Sequence, residues 1–397
     1  MLVQPGEAVL VRGLRQGWHP ALAVAADADG TQLLLLEGVA DVRPGLQAEG
    51  LGRVLSVPAG PELHGRVLNP LGRPLDDGPP PICQASRPVF AAAPAPGQRR
   101  LAPAPFWTGV RVLDAFFVAA RGQRLGILGP AGSGKTTLLQ MIALGCEADV
   151  IVVGLVGERG REIVEAAEAL SGKPAVIVAS EPQDPPGLRL LTAFSATALA
   201  EHFREDGSNV LLAIDSLTRL AHAQREIGLA MGELPATRAY PPSVFGLIPQ
   251  LLERAGPAGD GAITAFYTIL TESDDLADPV AEVAMASLDG QLVLSRRLAN
   301  EAVYPAVDLV RSLSRLMPTV VDADHQAAAV DLRRLAQAHE QARDLLDVGL
   351  YRPGANPVLD RALRLLPDLR EFVAQAPKEL TAPAATRARL LDLAARP

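Results

Sequence analysis

Residues 124–144 read RLGILGPAGSGKTTLLQMIAL. The middle of that stretch, Gly129-Pro130-Ala131-Gly132-Ser133-Gly134-Lys135-Thr136, has the spacing GxxxxGK[ST]. An apolar run with Leu125, Ile127 and Leu128 precedes it and suits a buried strand; Thr137, Leu138, Leu139, Met141 and Ile142 follow as the first turns of a packed helix. Strand, loop and helix in that order is the setting a phosphate-binding loop requires. Gly129, Gly132 and Gly134 free the backbone so that successive N–H groups turn inward on phosphate oxygens, and the helix N-terminus adds its positive end. Lys135 is then in reach of the outer phosphates, and the Thr136 hydroxyl can ligate Mg²⁺. The chain has three lysines, Lys135, Lys173 and Lys378, against 34 arginines, so a lysine at this place is not a product of composition.

The whole chain narrows the classes. Its 397 residues suggest two or three domains with real cores. A formal net charge of −8 argues against a broad nucleic-acid footprint. No apolar run is long enough to cross a bilayer, and MLVQPGEAVLV has neither a basic leader nor a cleavage site, so a cytoplasmic protein is expected. Cys83 and Cys146 make no framework, and the six scattered histidines suggest no metal-histidine site.

Outward from the loop, three regions are expected. Residues 1–75 break into short β-like runs at 8–12, 21–25, 32–37, 53–57 and 64–68, separated by turn signals such as Asp29-Gly30 and Pro44-Gly45, which predicts a small β-barrel. Trp18 is its one aromatic, so protein contact is a better expectation for it than base stacking. Prolines crowd residues 76–106, as in Pro79-Pro80-Pro81, and predict a semi-rigid connector that resists both helix and sheet. Over 107–317 the apolar runs 149–155, 175–179, 210–214, 262–269 and 291–294 alternate with helical patterns, the signature of a mostly parallel α/β sheet with ligands at the carboxyl ends of its strands. Residues 318–397 read as a small helical domain. Val330, Leu335, Ala338, Ala342 and Leu345 mark a helix over 322–346, Leu363, Leu366, Leu369 and Phe372 one over 357–374, and Leu390 and Leu393 one over 386–395.

Two carboxylates stand at strand ends. The run 210–214 closes on Asp215, which either holds Mg²⁺ beside the loop or caps the next helix. The run 149–155 leads into Gly157-Glu158-Arg159-Gly160-Arg161-Glu162. A carboxylate such as Glu158 can orient and polarise an attacking water, the part of NTP hydrolysis a phosphate loop cannot perform; an ordinary exposed acid at a helix start is the alternative.

Several segments together resemble one family. They are GERGRE at 157–162, IDSLTRLAHAQREIGLAMGELPATRAYPPSVF at 214–245, GAITAFYTIL at 261–270, DDLADP at 274–279, LDGQLVLSR at 288–296 and YPAVD at 304–308. They are similar to the type III protein-export ATPases of injectisomes and flagella, relatives of the rotary ATP synthase catalytic subunit, over nearly the whole chain from GRVLNPLGRPLDD at 65 to YRPGANPVLD ending at 360. The resemblance implies a RecA-like α/β core, a homohexamer with ATP sites between protomers, and ATP and Mg²⁺ as cofactors. It implies that Gly129 through Thr137 hold nucleotide, that Lys135 and Thr136 take phosphate and Mg²⁺, and that Asp215 is the acid on the Mg²⁺ side. Glu158 becomes the catalytic carboxylate, Arg159 and Arg219 supporting cations, Tyr304 the ring stacked on adenine, and Arg315 the arginine finger given to a neighbour's site.

The loop with Asp274, Asp275 and Asp278 corresponds to one facing a central stalk, although capping of the following helix explains these acids equally well. Met285 and Gln291 stand where the family pattern has an arginine and a histidine. The family also has an N-terminal segment for stator and membrane contact, which this sequence is expected to lack. The function implied is release of chaperones from export substrates, and their unfolding and export, at the export gate of the inner membrane. An injectisome is favoured over a flagellum. An RNA-dependent hexamer like the transcription terminator Rho is the alternative from another class, which the acidic charge and aromatic-poor barrel disfavour.

Overall fold

The computed structural model describes residues 3–15, 17–26, 30–99, 104–272 and 277–397. They form two compact units, Met1–Arg100 with Ala148–Ala265, and Leu101–Glu147 with Phe266–Pro397.

The first unit opens with a four-stranded antiparallel sheet in the order Thr31–Leu35, Trp18–Ala26, Glu7–Arg12, Ala48–Val54. Val9 and Val11 alternate inward along their strand, and with Val3, Ala21 and Ala23 they make the small core that the partly buried Leu33, Leu35 and Val42 cover. Three expectations for this region are corrected. The run 53–57 is broken at Leu55, where one strand ends and another, Ser56–Ala59, begins. That second strand pairs antiparallel with Ala85–Pro88, so the proline-rich stretch does contribute sheet; Pro58 and Pro88 fit because a two-stranded ribbon is all edge and needs few N–H donors. The strand Arg66–Leu68, expected among the barrel runs, joins the other sheet of the unit instead, parallel to Ala175–Ala179 with Val67 opposite Ile177. Asp76 pins it there, accepting from the Val67 N–H at 2.8 Å and pairing with Arg66 through two bonds of 2.7 and 2.9 Å.

In that sheet Val150–Leu155 lies between Ala175–Ala179 and Asn209–Asp215, all three parallel. Its six residues are buried without alternation because helices cover both faces of such a sheet. The register brings the three strands to a common end. Leu155 is level with Ala179 on one side and with Asp215 on the other, so residues just beyond these three positions converge at the carboxyl edge.

The second unit carries the parallel pair Arg124–Gly129 and Gly290–Val293, with Ile127 opposite Leu292, and the short antiparallel strand Leu313–Ser314 beside the latter. The helix Lys135–Gly145 follows the first strand after a five-residue loop. Three helices close the chain: Ala323–Asp347, Pro357–Val373 and Pro383–Ala395. Their shared core includes Leu332, Leu335, Leu365, Leu369, Phe372, Leu390 and Leu393. Val330 and Leu345, expected on the packed stripe, are exposed. The buried face of that helix runs instead through His325, Ala328, Leu332 and Leu335, and Val330, two residues from Leu332, sits about 200° around the axis from it. Arg111 in the helix Arg111–Phe116 ties these helices down. Its Nε donates to the Phe372 carbonyl at 2.9 Å, its two terminal nitrogens reach the Ala374 carbonyl and the Glu379 carboxylate, and its backbone N–H donates to Gln375 Oε1 at 2.7 Å. Among the described residues no helix is long and apolar enough to cross a membrane.

Candidate active site

In the second unit the phosphate loop has the shape its sequence requires. Gly132 and Gly134 hold φ of +77° and +93°, where a side chain would be strained. Gly129 is needed for a different reason, since a Cβ there would meet Ser133 Oγ at 2.8 Å and Leu294 Cβ at 3.0 Å. Ser133 is buried and donates from Oγ to the Pro130 carbonyl at 2.9 Å, which fixes the bend. No side chain caps the helix that begins at Lys135, so its N-terminal donors face the loop. Lys135 Nζ donates to the Gly129 and Pro130 carbonyls, both at 2.8 Å, and thus lies folded along the loop. Ala131, Thr136 and Thr137 are at least partly open to solvent. These features fit a nucleotide: a cradle of donors, a cation over it, and a hydroxyl at the rim suited to Mg²⁺.

Two further residues of this unit bear on the expectation. The Tyr304 ring stands beside the loop, about as far from Gly134 as van der Waals contact with a Cβ built there, at 3.9 Å. It is 46 % exposed, so a flat face is open to a ligand, and its carbonyl accepts the Gln375 N–H at 2.8 Å. It is therefore not the core tyrosine that an apolar setting would make it. Arg315 follows the strand Leu313–Ser314 and is exposed; its backbone N–H donates to the Asp289 carbonyl at 3.1 Å, and its guanidinium has no partner among the described residues.

In the first unit the carboxyl edge gathers Glu158, Arg219 and Asp215. Glu158 is 6 % exposed, which excludes the ordinary surface acid. Arg219 Nη2 donates to Glu158 Oε2 at 2.9 Å, and Nη1 bonds the Gly157 carbonyl. Arg219 is placed by the helix Leu217–Ala230, whose N-cap Ser216 accepts the Arg219 N–H at 3.3 Å. Burial pushes the Glu158 carboxyl up to about 9, helped by a hydrogen bond to Glu162 and by the Asp215 charge; Arg219, itself partly in water, opposes this without overcoming it. The same hydrogen bond holds Glu162 below its ordinary value, so the pair shares one proton and Glu158 carries it. Asp215 is buried at the end of its strand. Arg159 is exposed, 3.7 Å from Glu162 Oε1.

Of the remaining expectations, Asp278 accepts from the N–H groups of Val280 and Ala281 at 2.9 and 3.0 Å and so caps the helix Pro279–Ser287, while Asp274 and Asp275 lie outside the described residues. Gln291 reaches the Arg311 carbonyl at 3.4 Å. Two buried hydroxyls behind Glu158, those of Ser180 and Thr192, went unread in the sequence. Ser180 had one signal, its place just after a parallel strand; Thr192, within the helix Pro186–Glu205, had none.

A phosphate loop between a parallel strand and a helix defines a P-loop nucleotide-binding protein. Residues 109–314 match the ATP synthase alpha/beta family, nucleotide-binding domain, and residues 321–392 match the T3SS EscN ATPase C-terminal domain. The type 3 secretion system ATPase of Xanthomonas euvesicatoria is 47 % identical over 84 % of this chain and 76 % of its own. The flagellum-specific ATP synthase of Pseudomonas aeruginosa is 44 % identical over 96 % of this chain and 86 % of its own. The assembled ATPase EscN in complex with its central stalk EscO, from the type III secretion system of enteropathogenic E. coli, superposes with a TM-score of 0.90 at 36 % identity, covering 99 % of this chain and 96 % of that one. The chain belongs to the type III secretion and flagellar export ATPases, and it is an ATPase.

Proposed function

We propose that this chain is the ATP-hydrolysing motor of an injectisome, working in the cytoplasm as a homohexamer at the inner-membrane export apparatus. It releases chaperones from export substrates and drives their unfolding toward the export gate, with a central stalk along its axis. The observation that carries the catalytic reading is Glu158, a carboxylate buried beyond the end of a parallel strand and bonded to Arg219. In this reading Glu158 orients the attacking water and, once its proton has been given up to solvent, accepts one from that water. Arg219 holds the carboxylate in place, and Arg159, close to Glu162, adds positive charge at its rim. Gly129 through Thr137 bind the phosphates, Lys135 exchanging its two carbonyl partners for phosphate oxygens, and Tyr304 stacks on adenine. Bound Mg²⁺ would neutralise phosphate charge, and Thr136 and Asp215 are the residues that would hold it. Arg315, exposed and without a partner among the described residues, is offered to the neighbouring protomer as its arginine finger.

A mixing experiment tests the assignment in trans. Arg315→Ala and Glu158→Gln proteins are each expected to be inactive, yet rings assembled from both would contain sites with an intact Glu158 from one protomer and an intact Arg315 from the next. Recovery of part of the turnover on mixing is expected; none at any ratio overturns the reading. For the system served, deleting the gene is expected to stop effector secretion and leave swimming intact, and loss of motility instead would assign the chain to the flagellum.

A further inference from the structure

A buried serine holds two consecutive donors of the turn that carries Glu158. Ser180 follows the strand Ala175–Ala179 and receives two consecutive donors of that turn: its Oγ accepts the Gly157 N–H at 3.0 Å, and its carbonyl accepts the Glu158 N–H at 2.9 Å. Its own N–H donates to the Leu155 carbonyl at 3.0 Å, locking it to the strand that leads into the turn. Behind it, Thr192 Oγ1 lies 2.7 Å from Ser180 Oγ and 3.2 Å from the Leu188 carbonyl. Ser180 is 1 % and Thr192 0 % exposed, so water cannot substitute for either hydroxyl. Gly157 holds φ of +60°, a conformation that turns the chain sharply and leaves the direction of the next residue to the bonds around it.

We propose that Ser180, backed by Thr192, is a positioning residue for hydrolysis: it sets the backbone from which the Glu158 carboxylate is aimed. The inference rests on reading Glu158 as the catalytic carboxylate. A buried hydroxyl pair could serve folding alone, but only one of the turn's two anchors on Ser180 is a side-chain bond. Removing the hydroxyl keeps the Glu158 N–H to Ser180 carbonyl bond and the Arg219 bond to the Gly157 carbonyl, and leaves only the Gly157 N–H without its partner. The fold has little reason to fail, whereas the turn that aims the carboxylate loses one of the bonds that fix its direction. A displacement of about 1 Å near reacting atoms costs up to about a hundredfold in rate.

The test uses the assembled full-length ATPase. Ser180→Ala is expected to lower kcat about tenfold to a hundredfold while KM and the affinity for a fluorescent ATP analogue change little. Thr192→Val is expected to lower kcat less, and Thr192→Ser, which keeps the hydroxyl, to restore it. A purely structural role would instead lower the folded fraction and leave kcat per folded protomer unchanged, and that result overturns the proposal. Should Ser180→Ala not fold, the Thr192 pair decides: equal kcat in Thr192→Val and Thr192→Ser sinks it. Glu158→Gln is assayed alongside. If it turns over normally, the catalytic reading of Glu158 falls and takes this one with it; if it is inactive while Ser180→Ala matches wild type, the positioning role alone falls.

Discussion

Gly129 to Thr136 is one unbroken run of eight residues, with Thr136 open to water and Lys135 bonded to carbonyls five and six positions behind it. Glu158 is buried, and its setting is gathered from distant places, Arg219 from 61 positions away and the support under Gly157 from 23. In the proposed reading the first arrangement grips a charged ligand that arrives from solvent, so its donors must stay reachable. The second must hold one carboxylate in one direction and, with its own pKa displaced, keep it dry. Binding can thus be encoded locally, while chemistry requires the sheet to be complete.

The contrast is sharpest at Arg315, which is exposed yet is proposed to act on rate. Arg315→Ala is expected to lower kcat by about 10³–10⁵, roughly 4–7 kcal/mol at the transition state, and to leave ATP binding nearly intact. Comparable turnover in the mutant hexamer would place the rate-determining charge elsewhere.

Within the loop, two glycines separate packing from ligand access. Gly129→Ala drives a methyl group into Ser133 and Leu294 and is expected to cost about 1–3 kcal/mol of stability. At Gly132 a Cβ meets nothing within 4 Å, so Gly132→Ala suffers only from its positive φ, about 1–2 kcal/mol, and most of its harm should show in nucleotide affinity. Denaturant melts alongside ATP titrations distinguish the two; a loss of nucleotide affinity no larger for Gly132→Ala than for Gly129→Ala would overturn the separation.

The smallest effect belongs to the buried side. An unfolded glutamate releases its proton near pH 4.5, and Glu158 in the fold only near 9. Between those values the folded state binds more protons, so stability falls as pH rises through this window. Glu158→Gln cannot ionise, and its amide can still donate to Glu162. Its thermal midpoint should decline less between about pH 6 and 9 and exceed wild type by a few degrees near pH 8. Parallel curves would show that Glu158 is ionised and content in the fold.

The sequence was legible where spacing alone carries meaning. The phosphate loop, the strands at 150–155, 175–179 and 209–215, and Glu158 and Asp215 at strand ends all follow from local pattern. Arg66–Leu68 was misplaced because a three-residue strand has no periodicity of its own; its partner is chosen by which sheet edge stands open, and Asp76 enforces that choice. The proline-rich stretch hid a strand because Ala85–Pro88 is stabilised by pairing, not by propensity. Val330 and Leu345 fit a helical stripe as well as the true one does, since the helix Ala323–Asp347 is rich in small alanines that leave the phase of the packed face ambiguous. Ser180 and Thr192 are common polar residues whose role exists only after three strands and a helix have met.

Arg111 also sets a clock on synthesis. Its partners at Phe372, Ala374, Gln375 and Glu379 lie more than 260 residues downstream. At about 5–20 residues per second a ribosome needs on the order of 13–50 s to produce them. Throughout that interval the nascent chain holds a guanidinium, and the apolar helix around it, with no surface yet made to receive them. The docking of the helix Arg111–Phe116 is thus completed only once nearly the whole chain has been made.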